Sequence, residues 1–219
     1  MPASTAAPTP RTRVRRLAEL ADYDSATLYA IIDAAYLCHI AFQDAHGAHC
    51  VPTACWRDGA HLYIHGSNGS RMLRSLGEAD ACVTITHLDG LVLARAAFNH
   101  TMNYRSAMIY GRFETVAGDA AKRAAMEALM EKLAPGRQAE VRAGSAKEYA
   151  ATTVLRIGLG EAAAKVRAGP PVDDAADLAH PVWAGVLPLA QTRGAALADG
   201  AGGPPPPDYV RAWRGRESA

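Results

Sequence analysis

No stretch of this 219-residue chain approaches the roughly 20 successive apolar residues that a membrane-spanning helix needs. Net charge is almost absent too, at +1. A nucleic-acid partner is normally met by a basic stripe. The one basic run, RTRVRR at 11–16, reads as a solvated terminal arm. The expectation is therefore no membrane and no nucleic-acid partner. MPASTAAPTP lacks the apolar core of a secretory signal, so a cytoplasmic chain is expected. Cysteine is scarce, and Cys38, Cys50, Cys55 and Cys82 form no CxxC pair. They read as small hydrophobes rather than as zinc ligands or a disulfide framework, so no metal site is expected. Neither a G-x-S-x-G elbow nor a G-x-x-x-x-G-K-[ST] loop occurs, which leaves hydrolase and P-loop chemistry without support.

What the chain does carry is strand pattern and turn chemistry. Residues 1–10 are rich in Pro, Ala and Thr and are expected to be disordered. DYDSATLYAIIDAA (22–35) reads as a helix capped by Asp24 or Ser25, with Leu28, Ile31, Ile32 and Ala35 on one face. YLCHIAFQ, HCVPTACWR and HLYIHG follow as strands joined by short turns, Asp58-Gly59 being a hairpin signal, and predict a meander. SRMLRSLGEA reads as a short helix and ACVTITHLDGLVLARAAF as one or two strands. YRSAMIYGRFETV is a strand with a bulge or close approach at Gly111. DAAKRAAMEALMEKLAPG is a helix capped by Asp119 and stopped by Pro135-Gly136. TTVLRIGLGEAAAKVRA reads as one or two final strands, though EAAAKVRA also suits a helix. PVWAGVLPL is expected to dock on the body, and residues 194–207 to be flexible. Such a pattern implies a β-barrel with helical additions.

The loop HGSNGSR, after the strand HLYIHG, is the clearest candidate site. Gly66 and Gly69 let a ligand approach the main chain, and Ser67, Asn68 and Ser70 add side-chain donors. Arg71 supplies a permanent forked cation suited to phosphate, and a helix starting at Ser70 would add its positive end. A second string, Gly158, Gly160 and Ala163 with Asp177 beyond, imitates a dinucleotide fingerprint. It lacks the second parallel strand that reading needs. His46 and His49 flank a turn, but two ligands do not make a metal site. Asn103, Tyr104, Arg105 and Ser106 form a polar cluster that matters only if it faces the loop.

HCVPTACWRDGAHLYIHGSNGSRMLRSL, then ADACVTIT, then NYRSAMIYGRFETV, resembles the pyridoxamine 5′-phosphate oxidase-related family of FMN-binding split barrels. Within it the chain is most similar to the branch of flavin-nucleotide-binding and nitroimidazole-resistance proteins. AKVRAGPPVDD and PVWAGVLPL resemble that branch's C-terminal segment. The resemblance covers residues 12–190, leaving tails at 1–11 and 191–219. It implies a mainly β fold with flanking helices, a six-stranded antiparallel split β-barrel. It also implies a homodimer with FMN at each of two sites on the subunit boundary. By the same resemblance Pro52, Thr53, Ala54, Cys55 and Trp56 run beside the flavin ring. His65, Ser67, Ser70 and Arg71 surround the phosphate. Tyr104, Arg105 and Ser106 approach the cofactor, as do Lys165, Arg167 and Trp183. Relatives often carry Lys where this chain has Arg71, and arginine keeps the charge and adds donors. The Arg-x-His element that grips pyridoxal phosphate is missing, so vitamin B6 oxidation is not expected. The implied function is an FMN-dependent oxidoreductase whose substrate the sequence does not name. The alternatives are a non-catalytic flavin carrier or sensor, and a haem-binding barrel with His39, His65 or His100 as axial ligand.

Overall fold

Alternation fixes the first long strand: in LCHIAFQD, Cys38, Ile40 and Phe42 are buried and the residues between them face outward. The same logic repeats along a computed structural model that describes residues 6–200 and 202–215. Of the expected tails, residues 1–5, 201 and 216–219 lie outside the described residues. In chain order the elements are β1 (Ala21–Asp22), α1 (Ser25–Ala34), β2 (Leu37–Asp44), β3 (Gly47–Ala54), β4 (Trp56–Asp58), β5 (His61–Ser67), α2 (Arg71–Glu78), β6 (Ala81–Leu93), β7 (Thr101–Gly111), β8 (Glu114–Thr115), α3 (Asp119–Leu133), α4 (Ala146–Ala151), β9 (Thr152–Gly158), β10 (Ala162–Arg167), β11 (Gly185–Pro188) and α5 (Asp208–Arg211).

Two antiparallel sheets result. The larger has seven strands in the order β1-β10-β7-β6-β2-β3, with β11 added beside the second half of β6. The smaller has four, in the order β4-β5-β9-β8. Their inner faces meet in one core. Ile40, Val83, Ile85 and Ile109 come from the large sheet, and Leu62, Ile64, Leu155 and Ile157 from the small one. Leu28, Ile31 and Ile32 of α1 complete that core. A second cluster lies on the outer side of the small sheet, where Ala125 and Leu129 of α3 cover Trp56, Tyr63 and Val154. The architecture is mainly β with flanking helices, and the sheets do not close on each other: a split barrel.

Several local expectations change in the structure. The meander breaks at Cys55. Ala54 still pairs with Leu37, but Trp56 pairs with Tyr63 in the other sheet, so one apolar run serves two sheets. Cys55 is the buried corner, its N–H donating to Tyr36 O. The hairpin loop is Gly59–Ala60, with Gly59 at φ +54°. Gly111 ends β7 at φ +138°, a conformation that excludes most side chains. The helix at 119 is entered through Gly118 at φ +84°, with Asp119 in its first turn instead of at the cap. EAAAKVRA is strand: Ala162, Ala163 and Ala164 are buried against β7, and this pairing overrides the helical preference of alanine.

Candidate functional site

The loop after β5 is an ordered structure. Ser70 caps α2, its Oγ accepting from Leu73 N at 3.4 Å, and Ser70 N donates to Ser67 O. Ser67 Oγ accepts from Gly69 N at 3.2 Å. Asn68, expected as a ligand donor, is an anchor instead. Its N–H and Nδ2 donate to Ala151 O and Ala150 O, and its Oδ1 accepts from Thr153 Oγ1 at 2.8 Å. The helix N-terminus behind the loop leaves the Arg71 and Met72 N–H groups without an intrahelical acceptor, as every α-helix start does. Arg71 stands half exposed at that end. Its Nε lies 3.3 Å from Asp44 Oδ2, the terminal nitrogens keeping no partner among the described residues. Asp44 also accepts from His46 N and lies 2.9 Å from His49 Nε2. These hydrogen bonds, with the nearby Arg71, hold its carboxyl below the usual carboxylate range. The loop thus presents two hydroxyls, helix-start amides and a guanidinium, a donor set that suits a phosphate.

His65 turns away from this donor set. It shares a strand face with Tyr63 and meets Trp56 edge-on, ring centroids 5.8 Å apart. Burial lowers its pKa and favours the neutral imidazole. Its Nδ1 is buried without a hydrogen-bond partner, as is Trp56 Nε1.

The other candidates gather around the far half of β7. β10 runs antiparallel beside it, pairing Arg167 with Tyr104, Val166 with Arg105 and Lys165 with Ser106. Alternation puts Tyr104, Ser106, Lys165 and Arg167 on the outer face of the large sheet and Arg105 on the other. Arg105 is neutralised by Asp89, with contacts of 3.0 and 3.1 Å. Together with His87 and Leu189, this pair borders a cavity of about 330 Å³. Lys165 Nζ donates to Arg16 O at 2.9 Å, and Arg167 donates to Asn103 Oδ1 and Pro170 O. All three acceptors are uncharged, so these two cations keep their charge free to act on a neighbour. Trp183 is 64% exposed and packs over Gly185.

Pro52 and Ala54 reach the outer face through their pairing with His39 and Leu37. The side chains of Cys55 and Trp56 do not: both are core, at 1% and 0% exposure. A contact with Cys55, and then burial, raise the Cys38 thiol's pKa. Both thiols are buried, so neither is a surface nucleophile. Within one chain the phosphate-type loop and the cation cluster stand apart. The register Ala41–Cys82–Tyr110 leads from the loop's end of β2 to Tyr110, and Ser106 lies about 13 Å further along β7. The outer face around them is open and carries the exposed apolar residues Leu37, Leu88, Met102 and Met108. The imitation dinucleotide string spans the connection from β9 in the smaller sheet to β10 in the larger one, each paired antiparallel with its neighbour, so it builds no parallel β-α-β unit. Among the described residues, no group of three or more His, Cys, Asp or Glu could hold a metal ion, and no helix is long and apolar enough to cross a membrane.

The fold recurs in solved structures. The chain is similar to the flavocytochrome Anf3 from Azotobacter vinelandii, with 39% identity and a TM-score of 0.91, over 95% of this chain and 98% of that one. It is also similar to a FAD and heme binding protein from Mycobacterium smegmatis, with 40% identity and a TM-score of 0.84, over 89% and 97%. A putative 5-nitroimidazole antibiotic resistance protein from Bacteroides thetaiotaomicron shares the fold at 21% identity and a TM-score of 0.56, over 67% and 86%. No curated protein matched the chain. The family model described as pyridoxamine 5′-phosphate oxidase matches residues 24–166, from the start of α1 through β10. The chain belongs to the pyridoxamine 5′-phosphate oxidase family.

Proposed function

We propose that this protein binds a flavin nucleotide and a haem and moves electrons between them as an oxidoreductase. The observation that carries this reading is the pair of relatives near 40% identity that span almost the whole chain. One is named a flavocytochrome and the other a FAD and heme binding protein. The donor set of the loop fits the flavin half. Ser67, Ser70, the first amides of α2 and Arg71 take the 5′-phosphate, which FMN and FAD share. FMN is the simpler occupant, and the Mycobacterium relative's name makes FAD the specific competitor. Lys165 and Arg167, whose hydrogen-bond acceptors are uncharged, would steady negative charge on a reduced flavin ring.

The site is completed by a second copy. The open outer face, with exposed leucines and methionines, is of the kind a homodimer covers, and dimerisation would bring one chain's loop toward the partner's cation cluster.

For the haem half, His65 is the strongest of the three expected ligands. Burial keeps its imidazole neutral, the state a metal needs, whereas His39 and His100 are exposed. The flavin and haem would supply the redox step when bound.

Purified protein tests the proposal. Its visible spectrum should show broad flavin bands and a sharp Soret band, and His65→Ala should alter the Soret band while His39→Ala and His100→Ala leave it unchanged. An intact Soret band in His65→Ala moves the ligand elsewhere, and its absence from the parent removes the haem. A flavin inert to anaerobic reduction favours the carrier reading over the oxidoreductase.

A further inference from the structure

A cavity apart from the flavin elements lies where the chain's C-terminal segment folds back over the end of α3. Its volume is about 420 Å³, within the range of small-molecule sites. Tyr36, Leu133 and Pro135 form its floor, and Leu197, Val210 and Trp213 close it from the C-terminal side. The segment is anchored there: Arg137 Nη1 donates to Tyr209 Oη at 2.7 Å, and that hydroxyl donates to Glu140 at 2.7 Å.

Three cations also line the cavity, and no acidic residue is among its described lining residues. Two have local partners. Lys132 donates to Ile32 O and Asp33 O at the end of α1, and Arg137 is held by Tyr209. Arg193 differs. Its guanidinium stacks 4.5 Å over the Trp213 ring, and its Nη1 is buried with no hydrogen-bond partner. A buried guanidinium N–H without an acceptor costs free energy that an incoming anion would recover. A cation stacked on an indole, beside apolar walls and two further cations, selects for an organic anion with a flat apolar body.

We infer that this cavity is a binding site for a small aromatic carboxylate, whose carboxylate is taken by Arg193 and whose ring lies against Trp213. The site is separate from the haem proposed above, because His65 is not among its lining residues. It also shares no residue with the loop at 65–71, so it stands or falls independently of the flavin reading.

Calorimetry of the full-length protein, as purified, with 2-naphthoate and its uncharged counterpart 2-naphthamide tests this inference. Saturable binding of the naphthoate, at least tenfold tighter than the amide, is the expected result. Arg193→Ala should weaken naphthoate binding about tenfold or more, and Arg193→Lys should restore part of it. Trp213→Leu should weaken both probes. Unchanged melting temperature in these variants separates loss of the site from loss of the fold. Naphthoate that fails to bind, binds no better than the amide, or binds Arg193→Ala as well as the parent would overturn the inference.

Discussion

Arg71 Nε stands 3.3 Å from Asp44 Oδ2, so the last residue of β2 holds the cation at the mouth of the loop that follows β5. The pair joins two elements 27 positions apart in sequence, Asp44 and Arg71, and aims a charge that would otherwise sweep solvent. It also sets a competition, since a phosphate bound there must share the guanidinium with a carboxylate.

Arg71→Ala should weaken flavin binding about ten- to a hundredfold, the range for a hydrogen bond to a charged group. Thermal stability should change little, because Arg71 is half exposed and Asp44 keeps its contacts with His46 N and His49. Titration of the apoprotein with FMN, beside a melting curve, reads both.

Met108→Glu places a charge in the middle of the open outer face, where Met108 is 41% exposed. The fold should survive, since the side chain leaves the core untouched. If two copies meet on this face as proposed, light scattering should show a dimeric parent and a monomeric variant, and flavin affinity should fall with dissociation. A dimeric variant with normal flavin binding would separate the site from the subunit boundary.

His65 titrates below the ordinary histidine value of 6.5 because burial disfavours its charge. Between the folded and unfolded values the unfolded chain binds the extra proton, so stability falls as pH drops below 6.5 and levels off under the folded value. His65→Gln should therefore lose less melting temperature than the parent between about pH 7 and about pH 5. Equal losses would show that His65 is not buried in this way.

Ile109→Ala should cost about 2–5 kcal/mol in urea unfolding. The residue is fully buried at the centre of β7, flanked by Val83 on β6 and Ala162 on β10, so the void has rigid walls.

Sequence pattern carried the local elements. The strand in YLCHIAFQ, the short helix in SRMLRSLGEA and the Asp58-Gly59 hairpin all depend on neighbours within a few residues, and each appears in the structure. The break at Cys55 was not legible, because a strand that changes sheets keeps its apolar pattern. The three alanines of β10 misled for a related reason: their strand state is imposed by β7, far away in sequence. At the site, the loop's Gly-Ser-Arg chemistry was readable as donors. That Asn68 is consumed by Ala150, Ala151 and Thr153, and that Arg71 leans on Asp44, are long-range facts with no local signal. The cavity beneath Trp213 had none either, since its C-terminal wall reads as a Gly- and Pro-rich tail.

The most direct measurement is the identity and amount of what the protein carries when purified in the dark without added cofactor. Mass spectrometry of the released small molecules, with the absorbance spectrum, should find FMN or FAD and a b-type haem near one of each per chain. A colourless protein that also takes up neither ligand on titration would contradict the account.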